Sequence, residues 1–185
     1  KGRKIYPDRK KVYIAFNKPA KVLCTNDDPE GRDVALNYFK DAFPYRLHNV
    51  GRLDYMSTGL IFYTNDGDWT KLIAHPSAQT EKEYIVETSK PVTEELMLKF
   101  VKGFVIEGIK YRIKKFYIKN PTKVHIILTE GKNREIRRFF QFHSMKVKKL
   151  HRIRIGSVRL ESSMMPGSFR ELTRKEIESF LPKEG

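Results

Sequence analysis

Residues 51–67 read GRLDYMSTGLIFYTNDG, and this stretch sets the organisation of the chain. Glycines frame a loop from Gly51 to Gly59, Leu60 to Thr64 form an apolar strand, and Asn65-Asp66-Gly67-Asp68 turns the chain. Asp68 is placed to cap a helix carrying Trp69, Leu72 and Ile73 at i, i+3, i+4 spacing. Upstream, Lys11 to Asn17 alternates as a strand, with Val12, Ile14 and Phe16 on one face and Tyr13 and Ala15 on the other. Asn17-Lys18-Pro19 ends it. A turn-rich loop at Asp27–Gly31, a short helix at Val34–Phe39 and a brief strand before Gly51 follow.

Downstream, Glu83 to Thr88 reads as a strand, and Thr93 opens a helix through Leu96, Met97, Phe100 and Val101 that Gly103 stops. Alternation predicts Ile109, Tyr111 and Ile113 inward and Lys110, Arg112 and Lys114 outward. Val124 to Leu128 is a strand, Asn133 to Phe142 a helix with Ile136, Phe139 and Phe140 as its apolar face, and Val147 to Ile155 a strand again. Thr173 with Glu176 forms a capping box for a last helix ending near Leu181. Several strands joined by turns, with a few interspersed helices, predict an α+β fold around a mixed, mostly antiparallel sheet flanked by helices. No GxxxxGK[ST] loop or GxGxxG follows a strand, which sets nucleotide-triphosphate and dinucleotide chemistry aside.

The 185 residues carry 37 Lys+Arg against 22 Asp+Glu, a net charge of +15, and 39 % are hydrophobic. With twelve Phe and nine Tyr the chain has the means to fold, so it is not a disordered polycation. It contains no apolar run long enough to span a membrane. The basic first twelve residues lead into no signal-peptide core. The single Cys24 excludes an intrachain disulfide and fits a reducing, cytoplasmic setting. The five His form no HxxxH or CxxC pattern, so no zinc site is expected. The charge points to a polyanion, and its distribution narrows the choice. Between Lys132 and Arg159 lie ten basic residues and one acid, Glu135, interrupted by Ile136, Phe139, Phe140, Val147 and Leu150 at core spacing. Basic residues on a folded framework suit phosphates, although the same pattern serves a plain solvated face.

Within residues 51–59, an acid beside a base on a glycine-framed loop at a strand edge is a common place for functional groups. Read alone, Asp54 serves equally well in an ordinary turn, accepting backbone N–H bonds. On pattern alone Tyr84 is a half-buried sheet residue, Arg137 a phosphate contact or a solvated group, and Leu150 core. His75 and His151 read as structural or RNA-contacting.

Gly51-Arg52-Leu53-Asp54, with Ser57-Thr58-Gly59-Leu60 and Thr64-Asn65-Asp66-Gly67, resembles the catalytic motif of pseudouridine synthases. The likeness is to the branch that modifies bacterial ribosomal RNA at single uridines, the small-subunit synthase A family. Asn17-Lys18-Pro19 is similar to that family's opening strand end, and Glu81-Lys82-Glu83-Tyr84-Ile85-Val86 to its tyrosine strand. Residues 130–139, EGKNREIRRF, are similar to its arginine helix; residues 150–156, LHRIRIG, and Pro166-Gly167 through Arg170-Glu171-Leu172 complete the order.

The resemblance implies a pseudouridine synthase fold with a central catalytic cleft and isomerisation of uridine to its C-glycoside in ribosomal RNA, with the large subunit slightly favoured. Asp54 matches the essential aspartate, acting as nucleophile or as base in a glycal route. Tyr84 matches the tyrosine that stacks on the uracil, and Arg137 the basic residue that pairs with the aspartate. Leu150 falls at the apolar position against the ring. Arg52, Lys82, Arg134, Arg138, Lys149 and Arg152 are the further candidates for binding RNA. A nucleophilic carboxylate has to be ionised, and a neighbouring guanidinium favours that form. A base flipped out of folded RNA regains stacking on an aromatic face. The rearrangement changes no redox state and calls for no cofactor.

Residues 1–10 are expected to be the linker remnant of an S4-like RNA-binding domain, and residues 11–182 a catalytic domain of two sub-domains sharing one sheet. The partner is ribosomal RNA, with no membrane and a monomeric state expected. Tyr55-Met56, following Asp54, departs from the more polar residues of relatives. A non-catalytic RNA-binding or ribosome-assembly protein of the same fold is the alternative. A sequence-specific DNA binder lacks any helix-turn-helix or zinc-finger signature.

Overall fold

The structure, a computed structural model, describes residues 10–132 and 134–183. Residues 1–9 of the expected linker, and the expected helix start at Asn133, lie outside the described residues. In chain order the strands and helices are β1 (Tyr13–Lys18), β2 (His48–Val50), β3 (Thr58–Thr64), α1 (Gly67–Ala74), β4 (Lys82–Thr88), α2 (Glu94–Lys102), β5 (Phe104–Ile106), β6 (Ile109–Tyr111), β7 (Lys115–Asn120), β8 (Lys123–Leu128), α3 (Glu135–Phe142), β9 (Val147–Ile155), β10 (Val158–Arg159), β11 (Phe169–Glu171) and α4 (Arg174–Glu178). Nine strands make one sheet, β11-β1-β3-β9-β4-β8-β7, with β2 added beside β3 and β10 beside β9; β5 and β6 form a separate hairpin. Every pairing in the large sheet is antiparallel except β3 with β9, where Thr58 opposes His151 and Gly59 opposes Arg152. The fold is the α+β class that the strand and turn pattern predicts.

The sheet has two halves of different character. In β1 and β3 both faces are covered, so Leu60, Ile61, Phe62 and Tyr63 run apolar without alternation and all are fully buried. Ile14, Phe16, Ile61 and Tyr63 enter the larger core, while Ala15, Leu60 and Phe62 meet Trp69 and Ile73 of α1 on the other side. In β4 and β8 only one face is covered. Tyr84, Val86, Val124, Ile126 and Leu128 are buried, whereas Ile85, His125 and Ile127 between them are only half-buried. The covered face packs on α2 and α3, where Phe100 and Phe139 stack with centroids 3.8 Å apart. Burying such a ring is worth about 1.5–3 kcal/mol against leaving it exposed.

Gly59 is dictated by the parallel junction. Its φ is +108°, and an added Cβ would lie 2.2 Å from the carbonyl oxygen of Arg152. Only glycine lets β3 and β9 meet here.

Four expectations need correction. The cap of α1 is Asp66, not Asp68: a capping oxygen must reach the N–H three residues on, and Asp66 accepts from Trp69 N–H at 3.1 Å. β3 begins at Thr58 rather than Leu60, because Thr58 and Gly59 are paired with β9. Ile109 is 45 % exposed, since it starts a three-residue strand of the outlying hairpin; only Tyr111 and Ile113 point to the core. The last helix ends at Glu178 and continues to Leu181 only as turns.

Candidate active site

A cleft of about 660 Å³ opens where the loop before β3, the start of α3 and strands β4 and β9 converge. Asp54, Lys82, Tyr84, Arg134, Leu150 and Arg152 line it. Asp54 reaches it from the loop. Its Oδ2 lies 3.4 Å from Arg137 Nε, in the first turn of α3, and 3.6 Å from Nη1 of Arg134, the residue before that helix. The Arg137 side chain is only 14 % exposed, and its Nη2 donates to Ser57 Oγ at 3.1 Å. Burial lowers the affinity of Arg137 for its proton, Asp54 raises it, and the neighbouring Arg134 lowers it again. Arg134 itself sits in the left-handed region, φ 52°, and no side chain caps the helix there.

The aspartate loop is anchored through its backbone by buried polar groups. Lys18 is fully buried, and its Nζ donates to the carbonyls of Pro19 and Val22 at 2.8 Å and of Tyr55 at 3.2 Å. Burial pulls its pKa down to about 8. Cys24 Sγ donates to the Leu53 carbonyl at 3.2 Å and accepts from Leu53 N–H at 3.3 Å. Thus the residues on both sides of Asp54 are clasped.

Arg152 holds the loop's beginning. It is 2 % exposed; its Nε donates to Leu60 O at 2.7 Å and its Nη1 to Arg52 O at 3.4 Å and to the Tyr84 hydroxyl at 3.3 Å. It is therefore a buried strut in the cleft wall and not part of the basic outer surface that the charge count suggested. Arg154 is likewise withdrawn from that surface by ion pairs to Glu81 and Glu83 at 3.3 Å. Lys82, two residues before Tyr84 on β4, lines the same wall, and burial followed by repulsion from Arg152 lowers its pKa to about 8.

Of the residues singled out by sequence, Asp54, Tyr84, Arg137, Arg52, Lys82, Arg134, Leu150 and Arg152 gather in or directly behind the cleft. Arg138 and Lys149 do not: Arg138 turns to the Tyr111 hydroxyl at 3.3 Å, and Lys149 is exposed on β9 away from it. Sequence reasoning missed Lys18, Cys24 and Ser57. Lys18 had a signal, because it follows Ile14 and Phe16 at the inward parity of β1, where a lysine is out of place. The lone Cys24 had none. Among the described residues, no three His, Cys, Asp or Glu side chains come together as metal ligands would.

A carboxylate held between two guanidinium groups, in a cleft walled by an aromatic and an aliphatic side chain, suits an enzyme that handles a planar base on an anionic chain. The family model for RNA pseudouridylate synthase matches residues 12–142. An RNA pseudouridine synthase of Borreliella burgdorferi, described as uncharacterized, is 41 % identical over 152 residues, 82 % of this chain and 61 % of its own length. The ribosomal small subunit pseudouridine synthase A of Salmonella typhimurium is 35 % identical over 169 residues, covering 90 % of this chain and 73 % of that one. A pseudouridylate synthase crystal structure superposes with TM-score 0.84 at 34 % identity, over 93 % of this chain and 74 % of that one. The chain belongs to the RNA pseudouridylate synthase family.

Proposed function

We propose that this cleft isomerises a uridine of ribosomal RNA to pseudouridine, with Asp54 as the group that acts at the target nucleotide. The observation that carries the reading is the Asp54–Arg137 pair at 3.4 Å, in a cleft lined by Tyr84 and Leu150 and in a chain of this family. Ribosomal RNA as the substrate class follows the name of the Salmonella relative, and a cytoplasmic setting follows from that substrate.

In the reaction the bond from uracil N1 to the ribose C1′ breaks and one from C5 to C1′ forms; C5 loses a proton and N1 gains one. Nothing is oxidised or reduced. Asp54 attacks the sugar or removes a sugar proton, and Arg137 aims it. Tyr84 and Leu150 hold the flipped base between them while it turns. Lys82, Arg52 and Arg134 meet the RNA at the cleft, and Arg138 and Lys149 grip phosphates further out. Residues 11–182 serve as the catalytic unit, working as a monomer.

Release of tritium from ribosomal RNA labelled at uridine C5 tests the reading, with an S4-type domain added in a parallel arm. Release by the wild type that Asp54→Asn abolishes is expected. Equal release from both, or none from either in both arms, overturns it; salt-sensitive RNA binding that remains without release marks a non-catalytic binder of the same fold. Mapping both subunits' RNAs decides between the large-subunit site favoured by the family resemblance and the small-subunit site suggested by the Salmonella relative.

A further inference from the structure

The start of α3 brings the two arginines to Asp54, yet Arg134, in the left-handed region, offers it no capping side chain. Beside it two carboxyl groups meet in an unusual arrangement. The backbone N–H of Arg112, just after β6, donates both to Glu130 Oε1 at 2.9 Å and to Glu135 Oε1 at 3.1 Å. Glu135 is 4 % exposed, and its second oxygen, Oε2, is buried with no hydrogen-bond partner among the described residues. Two anions crowded on one N–H, one of them with an orphaned oxygen, are unfavourable in a buried setting. A single shared proton removes both faults: it turns one repelling oxygen pair into a hydrogen bond and gives the orphaned carboxyl a role.

The charged neighbours act in both directions: Glu130 favours the proton on Glu135, whereas Lys132 and Lys82 oppose it. Glu130 already pairs with Lys132 at 3.0 Å and so keeps its charge. Lys82 faces Glu135 from β4 without an ion pair to it, and Arg152 on β9 stands behind Lys82. Arg138, one turn along α3, is turned to Tyr111. Burial first, and Glu130 next, push the Glu135 carboxyl well above its ordinary value.

We propose that Glu130 and Glu135 share a proton at neutral pH, and that this acid–carboxylate hydrogen bond is a positioning device that pins the start of α3, and with it Arg134 and Arg137, against Asp54. The inference rests on the proposed function for its catalytic consequence, and on the geometry alone for the proton. The folded protein holds the proton more tightly than the unfolded chain. The stabilisation is therefore complete below the ordinary carboxyl pKa and is lost as pH rises through the raised folded value. Above it the buried Glu135 anion and the half-buried Glu130 anion repel, and the arginines retreat from Asp54.

The test uses the full chain and the variants Glu135→Gln, Glu130→Gln and Glu135→Ala. Wild-type-minus-Glu135→Gln infrared spectra at neutral pH should show the carbonyl stretch of a protonated carboxyl, fading as pH rises. An amide keeps the hydrogen bond but cannot titrate. Glu135→Gln should therefore match wild-type turnover within about twofold at neutral pH, and hold it where the wild type falls about tenfold on the alkaline side. Glu135→Ala should lose about tenfold in kcat with KM for RNA unchanged, as expected for lost positioning. No protonated band at neutral pH, or parallel alkaline limbs for wild type and both Gln variants, overturns the proposal. The infrared measurement needs no RNA, so a wild type that shows the band but no turnover sinks the proposed function and leaves the shared proton standing.

Discussion

The two segments that meet in the cleft are fixed by different forces. The loop around Asp54 is held by directional hydrogen bonds from buried groups: Lys18 to Tyr55, Cys24 to Leu53 and Arg152 to Arg52. The helix α3 is held by its apolar face, Ile136, Phe139 and Phe140, against the core. Hydrogen bonds to the backbone fix a position closely, whereas packing fixes an axis and leaves long side chains latitude. The carboxylate is thus the rigid partner, and the arginines come to it. In the proposed reaction the group acting at the sugar carbon is the one that needs the tighter placement.

Substitutions can break each anchor separately. The largest effect short of removing Asp54 should come from Arg137→Met, which takes away the charge at Asp54 and should lower kcat by about 10²–10³. Arg137→Lys should recover part of it, because an ammonium restores charge without the fork that also reaches Ser57. Next, Phe139→Ala removes the ring stacked on Phe100 and should cost about 3–4 kcal/mol in urea unfolding. At temperatures where the variant is folded its kcat should fall little, since packing sets only the axis of α3. Lys18→Met does the reverse. It frees the Tyr55 carbonyl from its clasp and should lower kcat about tenfold with KM for RNA nearly unchanged, because the loop and not the RNA surface is loosened. An equal loss in KM would place Lys18 at the RNA instead. The smallest effect belongs to Lys149→Ala on the exposed start of β9, which should weaken RNA binding about two- to threefold and reduce the salt slope by about one.

How much of this could be read in the sequence varies with the range of the interaction. Elements fixed by local chemistry were legible: β9 spans Val147–Ile155 as the sequence reading has it, Thr93 and Gly103 bound α2, and the Thr173–Glu176 capping box is formed. The edge strand β7 was not, because in Lys115-Phe116-Tyr117-Ile118-Lys119-Asn120 only Phe116 and Ile118 alternate as an inner face, among lysines that suit an edge. Nor was the parallel junction of β3 and β9, which joins residues over ninety positions apart and explains both Gly59 and the buried Arg152. In the site, pattern alone left Asp54 in an ordinary turn and Arg137 at the surface. Only the order of motifs joined them, and the ion pair between residues 54 and 137 is a tertiary fact. The Glu130–Glu135 pair escaped notice because a helix-start glutamate in a basic segment reads as a surface charge, whereas folding buries it.

The central claim is that Asp54 in this cleft converts a ribosomal uridine. It is tested most directly by mapping pseudouridine in ribosomal RNA from cells lacking the gene, complemented with the wild-type chain or with Asp54→Asn at equal protein levels. One pseudouridine should vanish with the gene, return with the wild type and stay absent with Asp54→Asn, whose turnover should be down by about 10⁴ or more. Return of the modification with Asp54→Asn, or an unchanged map on deletion, would contradict it.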